Sequence, residues 1–353
     1  MRIPVVSVNH QPLMPTKPSR ARKWIREGFA VAKFNDLGQF YVQLVDEPSG
    51  SETQPIVIGI DPGKLYSGIG VQSSKVSLFT AHLILPFQKV KDRMEQRAMM
   101  RRGRRNRRIN RQVAYSQRAH RQKRFSNRKQ RKLPPSIRAN RQLELRVVKE
   151  LCKVLPITGI VYEIVEAKGS KSFSPMMVGQ KWALTQLAEF APVETRKGWE
   201  TSQLRTQLGL HKQKHQKGDA IPATHAVDGI ALACSAFIKY ESFHTAKAYG
   251  HQWTGEVSVT VAPFKVIRRP PISRRQLHLM VPGKGGIRRK YGGSTTRHGV
   301  RKGDLVSSPK GIGYVSGDTE KQVSVSVANW KRLGQISSSK VQLIRRSNGL
   351  IVA

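Results

Sequence analysis

The sequence predicts an α/β domain that is split in two by a long, arginine-rich helix. Residues 55–85 have the pattern strand, turn, strand and strand, and residues 138–240 alternate between helix and strand. Between these parts, the 42 residues from 91 to 132 hold 18 Lys or Arg and only 2 Asp or Glu. An antiparallel start followed by alternating strands and helices favours a mixed sheet covered by helices.

Composition narrows the class of protein before any motif is considered. The chain has 353 residues, a formal net charge of +41 and 38% apolar residues, which indicates a globular protein with a polyanionic partner. No run approaches 18 apolar residues and the first residues have no signal-peptide core, so we expect a cytoplasmic, nucleoid-associated protein without a membrane partner. Its two cysteines exclude a disulfide framework and a four-cysteine zinc site, so a metal would need carboxylates or histidines.

The first 54 residues are expected to form a small α+β domain. They contain a proline-bounded turn at Pro12, Leu13, Met14 and Pro15, a short basic helix (SRARKWIREG), and two strand-like segments, VAKF and FYVQLV. Residues 55–90 then supply the first strands of the α/β domain: PIVIGID, SGIGVQ and KVSLFTAHLIL.

The basic run at 91–133 is predicted to be one long helix. It contains one glycine, no proline before Pro134, and mostly good helix formers. Its like charges repel each other at many i,i+4 pairs, so the helix should form fully only when phosphates neutralise it. The alternatives are a disordered basic arm and a solvated helix face.

Residues 134–240 are expected to complete the α/β domain, and residues 241–353 to form a separate β-rich domain. Helices are predicted around 138–153, 178–190 and 223–240, with a strand at 159–167. The last segment is rich in strand-like runs separated by glycines, including GEVSVTVAP and GIGYVSG, which is typical of a small sheet or barrel.

Asp61 is the first of three candidate catalytic carboxylates. It ends an apolar strand and precedes Pro62-Gly63, so it should lie at the carboxyl edge of the sheet, where open α/β sheets place their sites. The alternative is an aspartate that only caps its own turn.

Glu163 is the second candidate, because it interrupts the apolar strand GIVYEIVEA. A buried, unpaired carboxylate is costly unless a cation or hydrogen-bond donors compensate it. Glu166 is its rival, and strand alternation puts the two on opposite faces, so only one should share a site with Asp61.

His225 and Asp228 lie three residues apart on a predicted helix and can therefore point at one spot. The alternative is an ordinary first helical turn with a favourable aspartate and a surface histidine. Three carboxylates and a histidine together can hold two divalent ions, Mg²⁺ or Mn²⁺, for phosphodiester hydrolysis with histidine activating the water.

The ordered set of motifs resembles the RuvC-type, RNase H-like nucleases in the split form found in RNA-guided enzymes. Pro12 to Pro15 resembles the PLMP domain, and Arg101-Arg102-Gly103-Arg104-Arg105 resembles the RRXRR signature. Gln276-Leu277-His278 and the glycine-rich stretch 285–293 resemble the C-terminal region of the transposon-encoded IscB and IsrB families.

The presence or absence of an HNH nuclease domain distinguishes these two families. IscB proteins carry an HNH nuclease domain between the glutamate strand and the His-x-x-Asp helix, whereas 62 positions separate Glu163 from His225 here. Flanking lysines make His211 and His215 a poor metal pair. The chain therefore resembles the HNH-less IsrB family, and the absence of CxxC pairs argues against the TnpB type.

The resemblance implies an RNA-guided DNA nickase. Asp61, Glu163 and Asp228 would ligate two Mg²⁺ ions, for which Mn²⁺ would substitute, and His225 would be the general base. A structured omega RNA would pair with one strand of target double-stranded DNA beside a short adjacent motif, and the RuvC-like site would cut the displaced strand. The chain would act as a monomer in a ribonucleoprotein, with RNA contact or scaffolding by the PLMP segment.

The resemblance also implies which basic residues bind nucleic acid. The guide and its heteroduplex would lie along the arginine-rich helix and contact Arg97, Arg101, Arg102, Arg104, Arg105, Arg107, Arg108 and Arg111. The C-terminal domain would contact the RNA and the adjacent motif through Arg288, Arg289 and Lys290, for which a solvated hairpin tip is the alternative. A non-catalytic RNA-binding protein and a guide-independent resolvase remain the rival functions.

Overall fold

The computed structural model describes residues 1–107, 110–117, 133–166, 175–216, 218–272 and 294–353. At its start, four strands and one helix form a small α+β unit. The elements are β1 (Ile3–Val6), β2 (Pro12–Thr16), α1 (Pro18–Arg26), β3 (Ala30–Phe34) and β4 (Phe40–Leu44), with the sheet order β2-β1-β4-β3. The PLMP segment is thus a strand and not the predicted turn. β2 lies at the sheet edge, where prolines without an N–H can be tolerated.

The next part of the chain begins the central sheet and then enters the basic segment. Its elements are β5 (Ile56–Asp61), β6 (Tyr66–Ser73), β7 (Ser77–Ile84) and α2 (Phe87–Arg107). The predicted helix was longer, but residues 110–114 lie outside any helix and Tyr115–Gln117 is a single 3₁₀ turn. Lys91 and Glu95 form an i,i+4 ion pair early in α2. Residues 118–132 of the predicted helix lie outside the described part of the chain.

Alternating helices and strands follow, as predicted. They are α3 (Pro135–Cys152), β8 (Gly159–Ile164), α4 (Pro175–Leu187), β9 (Val193–Lys197), α5 (Gly198–Gln207) and α6 (Val227–Cys234). A π-helical turn at Pro222–Ala226 leads directly into α6. The helix predicted at 223–240 is therefore shorter, and the chain becomes a strand by Lys239.

The remaining elements are strands. They are β10 (Lys239–His244), β11 (Tyr249–Thr254), β12 (Phe264–Arg268), β13 (Leu305–Ser307), β14 (Gly313–Asp318), β15 (Gln322–Ser326), β16 (Arg332–Ser337), β17 (Gln342–Arg345) and β18 (Ile351–Val352). β13 to β17 form a five-stranded antiparallel sheet, which agrees with a β-rich C-terminal region. β12 and β18, however, join the central sheet beside β7, so the boundary predicted at residue 241 does not separate two sheets.

The central sheet has the order β18-β12-β7-β6-β5-β8-β9 and mixes parallel with antiparallel pairs. β5, β6 and β7 are antiparallel neighbours, whereas β8 and β9 run parallel to β5. One face of the sheet packs against apolar residues of α3 and α4, and the other packs against α6. The predicted α/β class is thus confirmed as a mixed sheet covered by helices.

Candidate functional site

Asp61 and Glu163 lie at the same edge of the central sheet. β5 and β8 are parallel neighbours whose last registered pair is Ile60 and Tyr162, and Asp61 and Glu163 are the next residue on each strand. Parallel strands bring their carboxyl ends to one edge, so the two acids meet there despite their separation in the sequence.

The π-helical turn and α6 approach this edge at backbone contact. A Cβ atom built on Gly68 would lie 1.7 Å from the carbonyl oxygen of His225, and one on Gly59 would lie 2.0 Å from that of Gly229. Any larger residue at these two strand positions would push the helix away from the sheet. The glycines therefore allow His225 and Asp228 to reach the edge that carries Asp61.

His225 and Asp61 form a direct polar contact. The distance from Nδ1 of His225 to Oδ2 of Asp61 is 3.3 Å. Burial raises the pKa of Asp61, but the hydrogen bond to His225 and the charges of Lys212 and His225 outweigh it and leave the pKa below its usual value. An ionised Asp61 can only accept, so Nδ1 of His225 carries a proton, and in the neutral form of the ring Nε2 carries the lone pair. Within the described part of the chain, buried Nε2 has no hydrogen-bond partner.

Glu163 is the glutamate that shares this environment. The hydroxyl of Thr201 on α5 donates to Oε2 of Glu163 over 2.5 Å. Burial, followed by the charge of Asp61, raises the pKa of Glu163 to about 7. Glu166 instead points away, is half exposed and forms an ion pair of 3.3 Å with Lys197.

Asp228 is buried and held by two cations, Arg205 of α5 and Lys212 of the following loop. Burial and the charge of Asp61 raise the pKa of Asp228, and Lys212 and Arg205 oppose that rise. Among the residues that the structure describes, no three His, Cys, Asp or Glu side chains are placed together as a metal cluster. Lys212 and Arg205 occupy the oxygens of Asp228 that a metal ion would need.

The donor chemistry nevertheless fits divalent cations. Asp61 and Glu163 lie near the carboxyl ends of neighbouring parallel strands, and the negative charge of Asp61 raises the pKa of both Glu163 and Asp228. Such a concentration of negative charge is relieved by a hard divalent cation with oxygen ligands, once the lysine is displaced.

A buried polar network fixes the turn that follows Asp61. The guanidinium of Arg141 on α3 donates to the hydroxyl of Tyr162 over 2.7 Å and to the carbonyl of Gly63 over 2.9 Å. Arg141 also pairs with Glu144 at 2.9 Å, and Ser67 donates to Glu144 over 2.5 Å. No sequence motif described above indicated this network. The Arg-x-x-Glu pair on the apolar face of a helix is the signal that could have revealed it.

A second missed residue is His82 on β7, whose side chain is fully buried beside the site. Its Nδ1 lies 3.1 Å from the hydroxyl of Thr224, and its ring centroid lies 5.4 Å from that of His225. Burial, together with the charge of His225, lowers the pKa of His82 to about 4. His82 is therefore neutral at pH 7 and packs behind the His225 ring.

The basic residues predicted to bind nucleic acid are only partly described. Arg97, Arg101 and Arg102 are exposed on α2, and Arg111 is exposed after the helix. Arg104, Arg105 and Arg107 are residues of α2. Arg108, Arg288, Arg289 and Lys290 lie outside the described residues. In the part of the chain described, no helix combines the length and apolarity needed to cross a membrane.

Solved structures similar to this chain include the RuvC structure of Thermus thermophilus, with 14% identity, a TM-score of 0.28, and coverage of 50% of this chain and 90% of that one. T. thermophilus RuvC in complex with a Holliday junction substrate gives 16% identity, a TM-score of 0.26 and coverage of 51% and 90%. No curated protein matches the chain.

The family comparison covers half of the chain. The model described as RRXRR protein matches residues 3–181, which include the small N-terminal sheet, β5 to β8 and the arginine-rich segment. This is the family whose signature the sequence carries at Arg101 to Arg105, and to which the likeness to IscB and IsrB pointed. The chain therefore belongs to the RRXRR family.

Proposed function

We propose that this protein is an RNA-guided, RuvC-like nuclease that nicks the displaced strand of double-stranded DNA. The observation that carries the proposal is the meeting of Asp61, Glu163, Asp228 and His225 at one edge of the central sheet. Membership of the RRXRR family supports it. So does the strand arrangement, three antiparallel strands followed by two parallel ones, which is the arrangement expected of an RNase H-like domain.

Each acid has a place in the proposed chemistry. Asp61, Glu163 and Asp228 would hold two Mg²⁺ ions, with Mn²⁺ as a substitute, and such ions stabilise the attacking and leaving oxygens of a phosphodiester. Asp61 orients the ring of His225 through Nδ1 and favours the tautomer with a free Nε2. Nε2 then accepts the proton of the attacking water, while Thr201 fixes the carboxylate of Glu163.

One strand would be cut because the described residues hold one such site. The segment between Glu163 and His225, which are 62 positions apart, includes α4, β9 and α5, and its sequence contains no His-Asn-His pattern for a second nuclease. The strand paired with the guide would therefore stay intact.

Charge supports an RNA partner. The net charge of +41 and the exposed arginines of α2 suit a long phosphate backbone, whereas sequence would be read by base pairing. We therefore propose a monomer bound to an omega RNA and to target DNA with an adjacent motif, read in part by the segment at 288–290.

A nicking assay on a supercoiled plasmid tests the proposal. The protein is co-expressed with its flanking noncoding RNA and incubated with Mg²⁺ and a plasmid library that carries the guide-matched target. Open circles that disappear with EDTA, with Asp61→Ala or with a mismatched guide are expected. Linear product would contradict a single site. Cutting of branched DNA by RNA-free protein would replace the proposal with a resolvase, and tight RNA binding without cutting would replace it with a structural RNA-binding role.

A further inference from the structure

A row of ring side chains covers one face of the hairpin formed by β10 and β11. Tyr240 and Trp253 are paired across the strands, as are His244 and Tyr249, and His251 lies between these pairs on the same face. We call these five residues and the adjacent Trp199 the aromatic track.

Four rings of the aromatic track are in contact, with Tyr240 at their centre. The ring centroid of Tyr240 lies 5.9 Å from Trp199, 5.1 Å from Trp253 and 5.4 Å from His251, with which it is stacked at 21°. Trp253 is buried against Leu204 and Ile238 and anchors the track to the domain.

Most of the track is open to solvent. Tyr240 is 37% exposed, Trp199 50% and Tyr249 85%, and β10 and β11 pair with each other in a sheet of two strands. An apolar core would have buried these rings, whereas here their surfaces remain available to a planar partner.

The track begins beside the acids of the site. Gly198 precedes Trp199, and a Cβ on Gly198 would lie 3.5 Å from Oε1 of Glu163. Thr201, on the same turn of α5, is the hydrogen-bond donor to Glu163. Exposed Lys239 precedes Tyr240 in β10, and exposed Lys247 lies in the loop that joins β10 to β11.

We propose that the aromatic track binds single-stranded DNA by stacking unpaired bases on Trp199 and Tyr240, next to the acids at Glu163. Bases in a duplex stack on each other and hide their faces, so only unpaired bases can stack on these exposed rings. The choice of DNA rests on the proposed function, which puts a displaced DNA strand at these acids.

A DNA-binding titration, done in EDTA so that no DNA is cut, tests whether the aromatic track binds single-stranded DNA. The complete chain is titrated in EDTA against a fluorescein-labelled oligothymidine of about twelve nucleotides, at several salt concentrations. Trp199→Ala and Tyr240→Ala are each expected to weaken binding by about 5- to 100-fold. The slope of log affinity against log salt should be unchanged, because a lost ring releases no counterions. Trp199→Phe should restore most of the affinity.

Phe29→Ala is the matched control, since Phe29 is 53% exposed and lies outside the track. Unchanged affinity in Trp199→Ala, an equal loss with duplex DNA, or a loss only with oligouridine would overturn the proposal. Thermal unfolding followed by circular dichroism shows whether Tyr240→Ala is still folded, so that a loss of base stacking is distinguished from misfolding. The binding assay measures no cleavage, so a protein that does not nick DNA could still show the expected loss of affinity. If the protein nicks DNA in an Asp61-dependent way but Trp199→Ala and Tyr240→Ala bind as tightly as wild type, only the proposal for the aromatic track is refuted.

Discussion

Nδ1 of His225 lies 3.3 Å from a carboxylate oxygen of Asp61, although 164 positions separate the two residues in the chain. Asp61 ends a strand, and His225 belongs to the π-helical turn that rests on the neighbouring strand. The pair joins β5 to the turn before α6, and it fixes which nitrogen of a neutral His225 is free to take a proton.

Asp61→Ala is expected to reduce plasmid nicking to background while leaving RNA affinity nearly unchanged. The variant removes both a carboxylate of the acid cluster and the partner that orients His225. Asp228→Ala should do the same. Nicking is measured by gel and RNA affinity by filter binding. Loss of both properties together would mean that the residues serve only the fold, and Asp36→Ala, which lies outside the site, is the control.

Lys212→Met is expected to lower the Mg²⁺ concentration needed for half-maximal nicking by about fivefold or more. Lys212 contacts the Asp228 carboxylate and so competes with a cation for it. Lys214→Met changes an exposed lysine of the same loop and should leave the Mg²⁺ requirement unaltered. A higher requirement in Lys212→Met would show that the lysine assists the reaction.

Gly68→Ala should destabilise the protein by about 1–3 kcal/mol and impair nicking beyond that loss. The new methyl group would meet the carbonyl oxygen of His225 and displace the turn from Asp61. Gly103→Ala is the control, because nothing lies within 4 Å of a Cβ at this helical position. Urea unfolding gives the stability. A wild-type melting curve for Gly68→Ala would argue against the tight backbone contact.

Buried His82 is expected to make the protein less stable in acid. The pKa of His82 is about 4 in the folded protein, whereas its ordinary value is 6.5. Between pH 4 and pH 6.5 the unfolded chain therefore binds a proton at His82 that the folded chain does not. This contribution is fully present above pH 6.5 and is lost as the pH falls towards 4, amounting to about 3 kcal/mol. Urea midpoints from pH 7 to pH 4 in wild type and His82→Gln measure it. Parallel curves for the two proteins would contradict the assignment.

Replacing Arg101, Arg102, Arg104, Arg105, Arg107 and Arg108 with glutamine should flatten the salt dependence of RNA binding. Each lost phosphate contact removes close to one counterion from the slope of log affinity against log salt. Catalysis on a pre-bound target should be affected less. An unaltered slope in the arginine variant would refute nucleic-acid contact by this segment.

The sequence alone determined the α/β class and the basic segment, and it predicted Asp61, Glu163, His225 and Asp228 as candidate site residues. These properties follow from local signals: apolar runs that end at an acid, a charge imbalance confined to one segment, and the spacing of His225 and Asp228. The choice between Glu163 and Glu166 stayed open. Strand alternation predicts that the two residues face opposite sides of the sheet, but it does not predict which side holds the site.

Tertiary structure decided the rest, because it depends on contacts between distant segments. The length of α2, the strand at the PLMP motif and the entry of β12 and β18 into the central sheet each depend on neighbours that local patterns do not specify. The same holds for Lys212 and Arg205 on Asp228, the burial of His82, and the Arg141 network behind the turn at Gly63. A charge or hydrogen bond within a buried site acts over a few ångströms, and only the folded chain brings such partners within that range.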